Sequence, residues 1–90
     1  MIFNALITLD LPSVSSETRA KFYDILKNKK WEQIDSLTTS WTYSFPSILE
    51  HYRALDVLLD HLQDAKNATM ILRVEYAVQL GYSNVEIGNL

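Results

Sequence analysis

From Met70 to Leu80, the residues Met70, Leu72, Val74, Tyr76, Val78 and Leu80 alternate with Ile71, Arg73, Glu75, Ala77 and Gln79. Successive side chains on a strand point to opposite faces, so period two sustained over this stretch predicts a strand with one face on a core. A second strand is read at Ile2–Leu11, nearly unbroken in Ile, Phe, Leu and Ala. Such a run fits a central strand buried on both faces, and Pro12 ends it by withdrawing a ladder donor. Thr39, Trp41, Tyr43 and Phe45 alternate with Ser40, Thr42 and Ser44, an aromatic and β-branched strand that Pro46 stops. A weaker strand precedes it at Trp31–Leu37, with the turn between them at Asp35–Ser36 or at Thr38–Thr39.

Two helices fall between these strands. Ser13–Ser16 supplies N-cap candidates with Glu17 in the first turn, and the helix runs to about Asn28 with Phe22, Ile25, Leu26 and Tyr23 on its buried face. Ser47 caps the second, in which Ile48, Tyr52, Leu55, Leu59 and Leu62 step by four and three to draw one apolar stripe, and Asn67 closes it. Gly81–Asn84 is a turn, followed by a short terminal strand at Val85–Leu90. The order β-α-β-β-α-β with an extra C-terminal strand predicts an α+β ferredoxin-like sandwich, an antiparallel sheet with two helices on one face. Trp41, Tyr43, Tyr76 and Tyr82 are too many aromatics for solvated faces, which predicts a homodimer that covers them.

Ninety residues make a single domain, 1–90, with one core. The absence of cysteine excludes disulfides and thiolate chemistry, and no apolar run reaches the length of a membrane span, so a cytoplasmic protein with no membrane association is expected. The net charge of -3 hides a basic stretch, for Arg19, Lys21, Lys27, Lys29 and Lys30 face only Asp24 there. An acidic chain is a poor coat for nucleic acid by counterion release, whereas a local patch remains open. Arg19, Lys27, Lys29 and Lys30 with Trp31 form such a candidate RNA-binding patch, with Trp31 as the stacking aromatic. The rival is a charge cluster at a helix C-terminus followed by a core tryptophan, and it is favoured because Trp is highly buried on average. His51 and His61 are about 15 Å apart along one helix at 1.5 Å per residue, so they cannot share a metal, and both are read as surface residues. With only Gly81 and Gly88, neither a nucleophile elbow nor a phosphate-cradling glycine loop is present.

A hydrophobic first strand ending in aspartate, Phe3-Asn4-Ala5-Leu6-Ile7-Thr8-Leu9-Asp10, then a capped helix, a Trp-containing second strand and a closing strand, resembles a group of small ferredoxin-like proteins. The group contains the CRISPR-associated spacer-acquisition nuclease-like proteins, the VapD-type toxin ribonucleases and the GhoS-type antitoxin endoribonuclease. The resemblance implies homodimers in which strand-end aspartates of two subunits approach one another, in some members around a divalent ion. Of this site only Asp10 carries over; Leu11-Pro12 stands where the nuclease-like members have an arginine pair.

At a strand end, Asp10 could ligate Mg²⁺ through carboxylate oxygen and so stabilise charge on a phosphodiester. It could equally accept N–H groups of the turn that follows. Two functions from different classes stand side by side. The preferred one is a small dimeric protein-interaction module without its own active site, in a toxin–antitoxin or phage-defence setting. The other is a Mg-dependent endoribonuclease or RNA-binding protein that uses Asp10 as its catalytic and metal-binding residue. No cofactor is required by the first, and Mg²⁺ by the second.

Overall fold

The apolar N-terminal run folds as a strand, Asn4–Asp10 (β1), bonded on one side to Leu37–Ser44 (β3) and on the other to Glu75–Gly81 (β4). A short strand, Glu32–Ile34 (β2), completes the sheet in the order β2-β3-β1-β4, and every pairing is antiparallel. Helices Ser16–Asn28 (α1) and His51–Thr69 (α2) connect β1 to β2 and β3 to β4. The structure is a computed structural model that describes residues 1–90. Its architecture is α+β with the ferredoxin-like strand order. The β2–β3 turn falls at Asp35–Ser36, the first of the two positions the sequence allows.

The core lies between the helices and one face of the sheet. Ala5, Ile7 and Leu9 of β1 are buried with Trp41 of β3, Phe22 and Leu26 of α1, and Leu58 and Leu62 of α2. Each fully buried aliphatic side chain contributes about 1.5–3 kcal/mol of transfer free energy. β1 is central as expected, yet only one of its faces is covered, for Leu6 on the other is 36% exposed. The apolar run exceeds what one buried face needs. The expected liability of exposed aromatics is corrected in part: Trp41 is wholly buried and Tyr43 packs against the core from the helix side, whereas Tyr76 and Tyr82 are exposed.

Both helices end alike. Lys30 (φ 77°) and Met70 (φ 58°) take the left-handed conformation just past α1 and α2. After α1, Lys30 N–H bonds Lys27 C=O at 3.0 Å and Trp31 N–H bonds Leu26 C=O at 3.0 Å. After α2, Met70 N–H bonds Asn67 C=O at 3.3 Å and Ile71 N–H bonds Lys66 C=O at 3.2 Å. This is the Schellman pattern, and each time the next residue, Trp31 or Ile71, drops into the core.

The second ending explains why the long alternation misled. Met70 and Ile71 close α2 rather than open a strand, so β4 begins only at Glu75. Met70 is 85% and Leu72 95% exposed while Ile71 is buried, the reverse of the expected phase. The α2 stripe likewise shifts to Ala54, Leu58, Leu62 and Ala65, with Leu55 and Leu59 half-buried and Ile48 and Tyr52 exposed. The helix starts at His51 with Glu50 as N-cap residue and no side-chain cap bond, so Ser47 does not cap it.

The expected terminal strand is absent. Asn4 Nδ2 donates to the carbonyls of Tyr82 and Ser83 at 3.5 and 3.2 Å, and Tyr82 stacks on Phe3 at 4.5 Å. These contacts hold the exit from β4, after which Val85–Leu90 forms no backbone bonds. The segment lies over the open face, where Val85 and Ile87 help to line a cleft of about 240 Å³ with Asn4, Thr42, Ser44 and Glu32.

Candidate functional site

The sheet register assigns the open face. Leu6 pairs with Thr42 and Gln79, Asn4 with Ser44, Thr8 with Ser40 and Ala77, and Glu32 with Thr42. Residues in register share a face, so this surface is mostly short and polar, with acids at both ends. No aromatic side chain stands in these pairs to stack on a base.

At the end of β1, Asp10 pairs directly with Glu75 of β4. Opposed residues of an antiparallel pair have Cβ atoms about 4.5–5.5 Å apart, so the two carboxylates are neighbours. Like charges so placed repel, and Arg73 relieves this by an ion pair with Glu75. Thr8, Thr39 and Ala77 complete an open cleft of about 360 Å³ around them. Two carboxylates and two hydroxyls are hard oxygen donors of the kind Mg²⁺ or Ca²⁺ takes, with water supplying the remainder of a six-coordinate shell. No group of three or more acids, histidines or cysteines assembles there or elsewhere. Glu75 was the residue sequence reasoning missed; its signal is the strand register, which places it opposite Asp10.

Of the basic candidates only Arg19 reaches the end of β1, and none forms an ion pair with Asp10. Lys27 and Lys30 are exposed around the C-terminal end of α1. Lys29 is drawn into a salt bridge with Asp64 of α2 at 3.0 Å. Arg19 Nη2 donates to the Leu11 carbonyl at 3.5 Å from within α1. Trp31 is corrected outright as a stacking platform: it is 2% exposed, stacked on Tyr43 at 4.9 Å between ring centres. Its place after the Schellman turn commits it to the core, the rival role weighed above.

His61 departs from its expected surface role. It is half-buried, and its Nδ1 accepts the Trp31 indole N–H at 3.1 Å. Burial first, then the Lys29 charge, lowers its pKa, while Asp64 and Asp60 oppose the shift. His51 stays exposed, with its ring edge-on to Phe3 at 5.7 Å.

No protein-family model and no curated protein matches the chain. Among solved structures, the crystal structure of protein SP2199 from Streptococcus pneumoniae, a structural genomics target, is similar. The likeness has a TM-score of 0.56 at 12% sequence identity and covers 94% of this chain and 90% of that one. At that identity the likeness speaks for the fold alone, an α+β domain of the same overall course. No helix is long and apolar enough to cross a membrane.

Proposed function

We propose that this chain is a homodimeric protein-interaction module of the cytoplasm, without a reaction centre of its own, whose second copy is met through Val85–Leu90. The observation that carries the proposal is that segment itself. It has no backbone hydrogen bonds and leaves Ile87 55% exposed. Meanwhile β2 and β4 are sheet edges with unpaired backbone on their outer sides. A segment with no backbone bonds of its own and a sheet with unpaired edges are what strand addition between chains requires. Glu32, Asp10 and Glu75 also make the open face acidic, which favours a protein partner over a phosphate polymer there. The toxin–antitoxin or phage-defence setting follows from the family resemblance. Light scattering of the purified chain tests the dimer: twice the chain mass is expected, falling to the single mass when the chain is ended at Asn84. A single mass for the intact chain at every concentration rules the dimer out.

The paired carboxylates of Asp10 and Glu75 favour a second reading, a Mg²⁺-dependent endoribonuclease. Such an ion would sit against the sheet end and polarise a phosphodiester. Single-stranded RNA incubated with Mg²⁺ decides it. Cleavage lost in both Asp10→Asn and Glu75→Gln supports the nuclease, and no cleavage by the native chain removes it.

A further inference from the structure

His61 stands in the middle of α2 at a junction of three elements. An indole N–H only donates, so the bond from Trp31 requires a lone pair on Nδ1, and the ring is neutral with its proton on Nε2. The Tyr43 ring meets the imidazole edge-on at 5.4 Å and 86° and stacks on Trp31. The imidazole therefore joins the segment just past α1, β3 and α2. The charges facing it are Lys29 from the end of α1 and Asp60 and Asp64 from α2, and Lys29 is itself held by Asp64.

We propose that His61 is a proton-operated latch that fastens α2 to Trp31 and Tyr43 and opens when its ring takes up a proton. The proton can enter only at Nδ1, because Nε2 already carries one. Its arrival turns the acceptor of the Trp31 bond into a second donor, and two N–H groups then face each other across 3.1 Å. The imidazolium also stands near the Lys29 ammonium within a cluster of aromatic rings. Reorienting the ring toward Asp60 or Asp64 relieves both conflicts, and either movement withdraws His61 from Trp31. The C-terminal half of α2 then loses its hydrogen bond to Trp31, in the segment between α1 and β2, and its edge contact with Tyr43 of β3. The apolar stripe of Leu58, Leu62 and Ala65 remains to hold the helix in part, so the opening is local rather than global.

Two tryptophans make the test internal to the native protein, since Trp41 is buried without a hydrogen-bond partner for its indole nitrogen. Proton–nitrogen NMR over a pH titration follows both indole N–H signals and the His61 ring protons. The Trp31 signal is expected to move with the same midpoint as His61, below about 6.5, while the Trp41 signal stays in place. Amide exchange across His61–Thr69, corrected for its intrinsic pH dependence, is expected to quicken by about tenfold per unit that the His61 midpoint lies below its ordinary value. In Trp31→Phe the His61 midpoint should rise. A Trp31 signal that does not move while His61 titrates overturns the latch, as does a His61 midpoint at or above its ordinary value. The native resonances decide the matter even where the variant fails to fold.

Discussion

At the scale of single residues, polar groups within apolar surroundings set the chain's response to solution conditions. The folded state holds His61 neutral, with a pKa below its unfolded value. Between the two values the unfolded chain binds the extra proton, so stability rises with pH in that window. The contribution is complete above about pH 6.5 and is lost as pH falls through the folded value. Denaturant unfolding of the native chain and of His61→Phe across this window should give a steeper acid loss for the native chain, the carboxylates being common to both. Parallel curves would show that His61 does not contribute. On the open face, Asn4 donates to the Tyr82 and Ser83 carbonyls and accepts from Ser44 Oγ at 2.7 Å. Its position on the open face makes it the fastener of the C-terminal segment.

At the scale of elements, the helix ends carry most of what can be tested by small changes. Ser15 caps α1, its Oγ accepting the Thr18 N–H at 3.1 Å. Ser15→Ala should therefore cost about 1 kcal/mol of unfolding free energy. Ser47→Ala should change it by less than about 0.5 kcal/mol, since α2 starts beyond its reach. Equal losses in the two variants would contradict the observed start of α2. Both C-terminal ends place a residue with a side chain at positive φ, where a left-handed residue other than glycine bears about 1–2 kcal/mol. Lys30→Gly and Met70→Gly are each expected to raise stability by about 0.5–1 kcal/mol, the remainder being offset by glycine's freedom in the unfolded chain. A loss of stability in denaturant unfolding would mean that these turns are not as described.

For the molecule as a whole, the helices shield one face of the sheet and leave the other polar, acidic at its ends and partly overlaid by the C-terminal segment. The proposed association with a second copy rests on two unpaired sheet edges and a segment without backbone bonds. A dimer formed this way stabilises the folded chain by mass action, so its melting temperature should climb with protein concentration. Ending the chain at Asn84 should abolish that dependence while leaving far-ultraviolet circular dichroism unchanged, because the segment contributes no helix or strand. A melting temperature that ignores concentration in the intact chain argues against association. The Lys29–Asp64 bridge adds little to this balance, as partly exposed pairs contribute about 0–1 kcal/mol.

Local pattern was enough for the β-α-β-β-α-β order (though not for the terminal strand read at Val85–Leu90), for Phe22 and Leu26 as the buried face of α1, and for the central place of the first strand, because periodicity and breakers act within a few residues. Asp10 was legible as a strand-end acid for the same reason. Its neighbour Glu75 was not, since which residue lies opposite depends on the register of two strands far apart in the sequence. The end of α2 has no glycine to mark it, so the Met70–Leu80 alternation overran the Schellman turn at Met70 and Ile71. Equally invisible was the contact of Trp31 with His61, which joins α2 to the turn that follows α1. What the sequence by itself determined was which segments could form each element and which faces were apolar enough to bury. Only the tertiary structure decided which faces met, because burial, register and the state of a half-buried imidazole depend on groups brought together from distant parts of the chain.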